Sequence, residues 1–176
     1  PDMATTGATI LSVLKEGVKS GEKVSEITAE LPTYAEMLLG LRGGSIGEIS
    51  IIALLIGALF LLARKVITWH IPVAFLGSAY VLAAILYAVD PEIYIHPILH
   101  MLSGGIILGA FFMATDMATS PSTPLGMIIF GVGCGLLTII IRVFGAYPEG
   151  VSFAILLMNA VTPLINKGIK TSKFGR

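Results

Sequence analysis

Beyond Gly43-Gly44 the chain becomes a succession of five long apolar stretches, near Ile46–Ala63, Ile71–Val89, Ile98–Thr115, Leu125–Phe144 and Val151–Ile165. Each approaches the ~20 residues that a helix needs to cross a bilayer core. A soluble bundle would need a polar stripe along every helix, and these stretches leave almost none. Over the full 176 residues the composition is 55% hydrophobic and 12% charged, against about 25% charged for an ordinary soluble domain. The expected fold class is therefore all-α integral membrane, with about five transmembrane helices preceded by a short exposed helical segment.

The breaks carry the residues expected at helix ends. They are Arg64-Lys65 with Trp69, Asp90-Pro91-Glu92, Asp116 with Ser120-Pro121-Ser122-Thr123-Pro124, and Tyr147-Pro148-Glu149-Gly150. Upstream, Lys15, Glu16, Lys19, Glu22, Lys23, Glu26, Glu30 and Glu36 suit short exposed helices, divided by Pro32. Three parts follow: an exposed segment 1–44, a membrane domain 45–166 and a basic tail 167–176. The first apolar stretch begins too late for a signal peptide, and the start at Pro1 suggests a processed or truncated product.

Five spans alternate the loops between two sides. Arg64-Lys65 and the tail with Lys167, Lys170, Lys173 and Arg176 fall on one side, while the other has only Arg42 and Arg142 near the spans. The positive-inside rule then predicts a cytoplasmic carboxyl terminus and an extracytoplasmic segment 1–44. Eleven basic residues balance eleven acidic ones, so no nucleic-acid partner follows from the net charge. The single Cys134 cannot make an intrachain disulfide or, from this chain alone, a zinc or iron–sulfur centre.

Several polar groups within or beside the spans have two readings. Glu48 either satisfies free amides at a helix start or belongs to an ion path. Asp116, beside Thr115, Thr119 and Ser120, either caps the next segment or binds a hard cation. His96 and His100 have metal-ligand spacing, but no third ligand lies near them in sequence, so interfacial packing is expected. Arg142 reads as an interface-snorkelling side chain. Gly104-Gly105 with Gly109, and Gly131, Gly133 and Gly135, suit close helix packing. Asn159 and Thr162-Pro163 are residues that can break the last helix and free carbonyls to line a cavity.

In the exposed segment, Thr6-Gly7-Ala8-Thr9 can be a loop with a helix N-cap. It also resembles the Ser/Thr-Gly-Ala-Thr acceptor at which flavin transferase links FMN through a phosphoester to threonine. Four further motifs carry a resemblance that covers essentially the whole chain in order: Gly44-Ser45-Ile46-Gly47-Glu48-Ile49-Ser50, Trp69-His70-Ile71-Pro72-Val73, Phe112-Met113-Ala114-Thr115-Asp116 with Thr119-Ser120-Pro121, and Tyr147-Pro148-Glu149-Gly150 through Asn159. Together they look like the RnfD/NqrB family, specifically the carboxyl-terminal half of the D subunit of the Rnf ion-translocating electron-transport complex. The closely related B subunit of the sodium-pumping NADH:quinone oxidoreductase shares much of the pattern.

That resemblance implies one half of a urea-transporter-like inverted-repeat fold in a bacterial or archaeal cytoplasmic membrane. It implies FMN covalently attached to Thr9, with Thr6, Gly7 and Ala8 forming the acceptor turn, and leaves room for riboflavin as a second, non-covalent flavin. Electrons would pass from reduced ferredoxin to NAD, coupled to Na+ or H+ transport, with Glu48 and Asp116 as candidates for the ion path. Partners would be the other Rnf subunits, the flavin transferase during maturation and the lipid bilayer. The chain departs from the acceptor pattern at Met3, where the family usually has Asp. A flavin-free channel or transporter half, and a structural membrane subunit in which Thr9 only caps a helix, are the readings of another class.

Overall fold

The computed structural model describes residues 50–103, 105–145 and 149–169. All regular structure among them is helical. Helix α1 spans Ile51–Ala63, α2 His70–Val89, α3 Pro97–Leu102, α4 Ile106–Leu108, α5 Pro124–Phe144 and α6 Val151–Gly168; a π-helical turn, Gly109–Met113, continues α4. Three helices, α2, α5 and α6, are long and apolar enough to cross a membrane, and α1 is a shorter apolar helix.

Local chemistry sets the ends. Ser50 caps α1, accepting from the Ala53 amide at 3.4 Å, and Thr123 caps α5, accepting from the Gly126 amide at 3.1 Å. Such side-chain oxygens satisfy amides that have no partner in the first turn. Pro124 occupies the first turn of α5, where its missing N–H costs nothing. Gly150 precedes α6 at φ 61°, a left-handed conformation that glycine adopts without the Cβ penalty. The expected bounds for α2, α5 and the start of α6 agree with these to within a residue.

The most extensive helix–helix contact joins α2 and α5. Ile71, Phe75, Ala79 and Ala83 recur every four residues on α2 and are all buried, as one helical face requires. Opposite them α5 presents Gly131 and Gly135. A Cβ on Gly131 would stand 2.8 Å from both the Ala74 Cβ and the Ile71 carbonyl oxygen, and one on Gly135 would collide with Ser78 Oγ and the Phe75 carbonyl oxygen. Ser78 Oγ donates to the Val132 carbonyl of α5 at 3.3 Å, tying the helices across the gap. Without a hydrophobic drive between helices in lipid, close approach over small residues and a hydrogen bond are the available glue.

Helix α6 packs on the other side of α5, with Met158 against Gly133, while Val151 closes on Gly109 of the π-helical turn. Phe75, Phe130, Ile106 and Ile139 are sealed between these elements. Outward, Ile56, Leu59 and Phe60 of α1, Ile85 of α2 and Leu156 and Leu164 of α6 are exposed. An apolar exterior around a packed interior is what a bilayer solvent selects.

Two expectations are corrected. The third apolar stretch, Ile98–Thr115, is not a continuous helix. Ser103 turns extended at φ −110° and ψ 146°, and Gly105 takes φ 21° before helix resumes. The Ser103 hydroxyl donates to the Leu99 carbonyl, so the chain end of α3 is partly satisfied from within. Past the interruption, Ala114 N–H bonds Gly109 O at 2.8 Å, the five-residue step of a π-helix. Conversely, the last helix does not break at Thr162-Pro163. It runs through to Gly168 with Pro163 inside it, and the Thr162 hydroxyl donates to the Met158 carbonyl at 3.1 Å.

Candidate functional site

Helix interruptions inside apolar spans are where membrane proteins place irregular backbone that does chemistry. Here the interruption between α3 and α4 meets the last turn of α5. Arg142, only 4% exposed, lies in the last turn of α5 and reaches main-chain carbonyls on either side of it. Its Nη1 donates to His100 O at 2.7 Å and its Nη2 to Ser103 O at 3.1 Å. Its Nε donates to Glu149 O at 3.2 Å, in the connection to α6. The first two acceptors belong to the C-terminal end of α3, where a helix leaves carbonyls unsatisfied and carries partial negative charge.

The snorkelling expectation for Arg142 is therefore corrected. The side chain turns inward and is engaged by backbone oxygens of two separate connections. The sequence carries one signal for this, a lone cation at the end of an otherwise apolar span. The partners are carbonyls, which every residue has, so residue types could not name them.

The two histidines also separate. His96 caps α3, its Nδ1 accepting from the Ile98 amide at 3.3 Å, and its ring meets Tyr87 edge-on with centroids 5.1 Å apart. His100 is buried within α3, and its Nδ1 has no hydrogen-bond partner. Among the described residues, no group of three His, Cys, Asp or Glu could hold a metal ion.

Asp116 sits exposed in the turn after the π-helical segment. Its carbonyl accepts from the Ser120 amide at 3.0 Å, and its Oδ2 accepts from the Thr119 hydroxyl at 3.2 Å. The carboxylate thus organises this turn and still presents oxygen to the surroundings. Asn159, on α6, has a buried Oδ1 with no hydrogen-bond partner. Thr6, Gly7, Ala8, Thr9 and Glu48 lie outside the described residues, as do Lys170, Lys173 and Arg176 of the tail.

Comparison with known proteins adds the family to this geometry. The profile of the NQR2, RnfD, RnfE family matches residues 2–175. The chain belongs to that family. It is 47% identical over 176 residues to the D subunit of the Na(+)-translocating ferredoxin:NAD(+) oxidoreductase complex of Acetobacterium woodii, covering 99% of this chain and 50% of that protein. It is likewise 47% identical over 173 residues to the D subunit of the proton-translocating ferredoxin:NAD(+) oxidoreductase complex of Clostridium ljungdahlii, covering 98% and 52%. The D subunit of the ion-translocating oxidoreductase complex of Halorhodospira halophila is 40% identical over 173 residues, covering 98% and 48%. The chain spans about half the length of these relatives. Membership of the family expected from the four motifs is thereby established.

Proposed function

We propose that this chain is the flavin-bearing, ion-handling half of a D-type membrane subunit in a ferredoxin:NAD oxidoreductase that couples electron transfer to Na+ or H+ transport. The observation that carries this reading is its identity of 40 to 47% with three D-subunit relatives over almost all of its length. The membrane-length helices and the buried polar interruption are consistent with it.

FMN is held through the Thr9 hydroxyl. The donor chemistry fits a phosphoester, since Thr9 offers an alcohol oxygen and the neighbouring Gly7 and Ala8 have little or no side chain to obstruct the phosphate or the transferase. When bound, FMN supplies one- and two-electron redox chemistry that no side chain of this chain offers. Thr9 fixes its place, and Thr6 belongs to the acceptor motif. The segment carrying them lies outside the cytoplasm, following the basic residues in the Arg64-Lys65 loop and the tail. Flavin transferase is the partner in maturation, and the other subunits of the complex are the partners in turnover.

Ions pass with the help of Glu48 and Asp116, carboxylates beside apolar stretches, of which Asp116 is exposed and still presents oxygen beyond its bond to Thr119. Glu48→Gln and Asp116→Asn are expected to reduce ion uptake into vesicles holding the complex, measured per NAD reduced, while covalent flavin content stays at the wild-type level. Wild-type ion-to-electron ratios in both variants would remove these residues from the path.

A further inference from the structure

A guanidinium bound by main-chain carbonyls at an interrupted helix is a cation in a carbonyl site. Backbone oxygens at such interruptions are the groups with which membrane proteins replace the hydration shell of a passing ion. Here His100 O and Ser103 O, from the end of α3, and Glu149 O, from the start of the α6 approach, each face a different nitrogen of one guanidinium at 2.7 to 3.2 Å, and Glu149 O also accepts from the Val151 amide at 2.6 Å. That cation is part of the chain. It is almost wholly shielded from solvent, and it leaves from a rigid helix, α5, locked to α2 over Gly131 and Gly135.

We propose that Arg142 is a tethered cation that occupies a carbonyl site at the interrupted third span, excluding free monovalent cations there and keeping the protein tight to passive leak. This rests on the reading of the chain as part of an ion-moving complex. Two physical points favour a blocking role over mere packing. Arginine stays charged under all ordinary conditions, so the occupant cannot leave by losing a proton. Its planar fork satisfies separate acceptors at once, so a mobile ion would have to displace several bonds together. Arg142 is thus a positioning and excluding residue, without contact to any reacting group. Removing it leaves carbonyl oxygens spaced for a guanidinium-sized cation and no longer held by this side chain.

The test uses the full-length protein in sealed liposomes, with a Na+ gradient and a Na+-sensitive dye inside. Wild type is expected to hold the gradient. Arg142→Gln, which keeps a polar head without the charge, is expected to raise Na+ influx several-fold, and millimolar guanidinium is expected to bring influx back towards wild type. Arg142→Lys retains a cation and is expected to remain near wild type. Size-exclusion profile and helicity are compared for all three, and only variants matching wild type are scored; if Arg142→Gln fails this, Arg142→Lys against Arg142→Met supplies the same contrast. Influx unchanged in the neutral variant, or raised but indifferent to guanidinium, overturns the proposal, the second result marking a packing defect. Failure of the functional reading is separate: it shows as wild-type complex that moves no ion on oxidising ferredoxin, whatever the leak of the isolated protein.

Discussion

Co-expressed with a flavin transferase, the wild-type chain is expected to gain an FMN-sized mass that Thr9→Ala lacks completely. The effect is all or none, because alanine offers no oxygen for the phosphoester. Intact-protein mass spectrometry reads it directly, and flavin fluorescence of the protein band in a denaturing gel gives an independent readout, since only a covalent flavin survives denaturation. The rest of the fold should be indifferent to the change: Thr9 lies in the segment preceding the apolar stretches, well removed in sequence from the α2–α5 contact. Met3, where the acceptor pattern that the sequence resembles would have Asp, is the place to look if wild-type labelling is partial. Met3→Asp is then expected to raise occupancy at Thr9 with no new attachment elsewhere. An FMN-sized mass persisting in Thr9→Ala would move the attachment to another residue and remove the assigned role of Thr6, Gly7 and Ala8.

The second large effect is structural. Gly135→Leu is expected to destabilise the helical domain by about 3 kcal/mol or more, at or beyond the upper end of ordinary overpacking costs. The reason is the nature of the obstacle. A Cβ at Gly135 would run into the Phe75 carbonyl oxygen and Ser78 Oγ and lie 3.0 Å from the Ala79 amide nitrogen. Backbone cannot step aside without separating α2 from α5, and separation also costs the Ser78 to Val132 hydrogen bond. Gly133, two residues earlier, supplies the control. Its Cβ would meet Met158, with Sδ at 2.6 Å, and the thioether is a flexible side chain that can rotate away. Gly133→Ala is therefore expected to cost under about 1 kcal/mol. Unfolding midpoints in a graded mixture of denaturing and mild detergent rank the two. Equal midpoints for Gly135→Leu and Gly133→Ala would contradict the packing described.

Much of the membrane domain is legible in the sequence because transfer into lipid is governed by composition over a helix length, which residue types display openly. The ends of α2 at Val89 and of α5 at Phe144 coincide with Asp90-Pro91 and with Gly145, residues that stop an apolar helix for local reasons. The third span is different. Ile98–Thr115 is apolar throughout, and hydropathy cannot distinguish one helix from two helical pieces joined by an extended Ser103 and a positive-φ Gly105. Gly104-Gly105 reads equally as a packing pair, since glycine serves close approach and unusual backbone alike. Arg142 escapes the sequence for a related reason: the depth of a charge depends on what it finds, and its acceptors belong to backbone that is free only because α3 stops. Thr162-Pro163 departs in the other direction, because the Thr162 hydroxyl and the surrounding helix accommodate a proline that sequence rules take as a break. The flavin reading of Thr6-Gly7-Ala8-Thr9, which lie outside the described residues, rests on likeness alone, because four common residues do not specify a cofactor.

The proposed function makes electron flow and ion movement one process. It is tested most directly by reconstituting the complex containing the full-length protein into sealed vesicles and supplying reduced ferredoxin and NAD. Na+ and H+ movement are recorded alongside NADH formation. NADH is expected to accumulate together with transport of one of these ions in fixed proportion, the gradient to collapse with the matching ionophore, and Thr9→Ala to suppress both signals together. NADH formation at full rate with neither ion moving, or undiminished in Thr9→Ala, would contradict it.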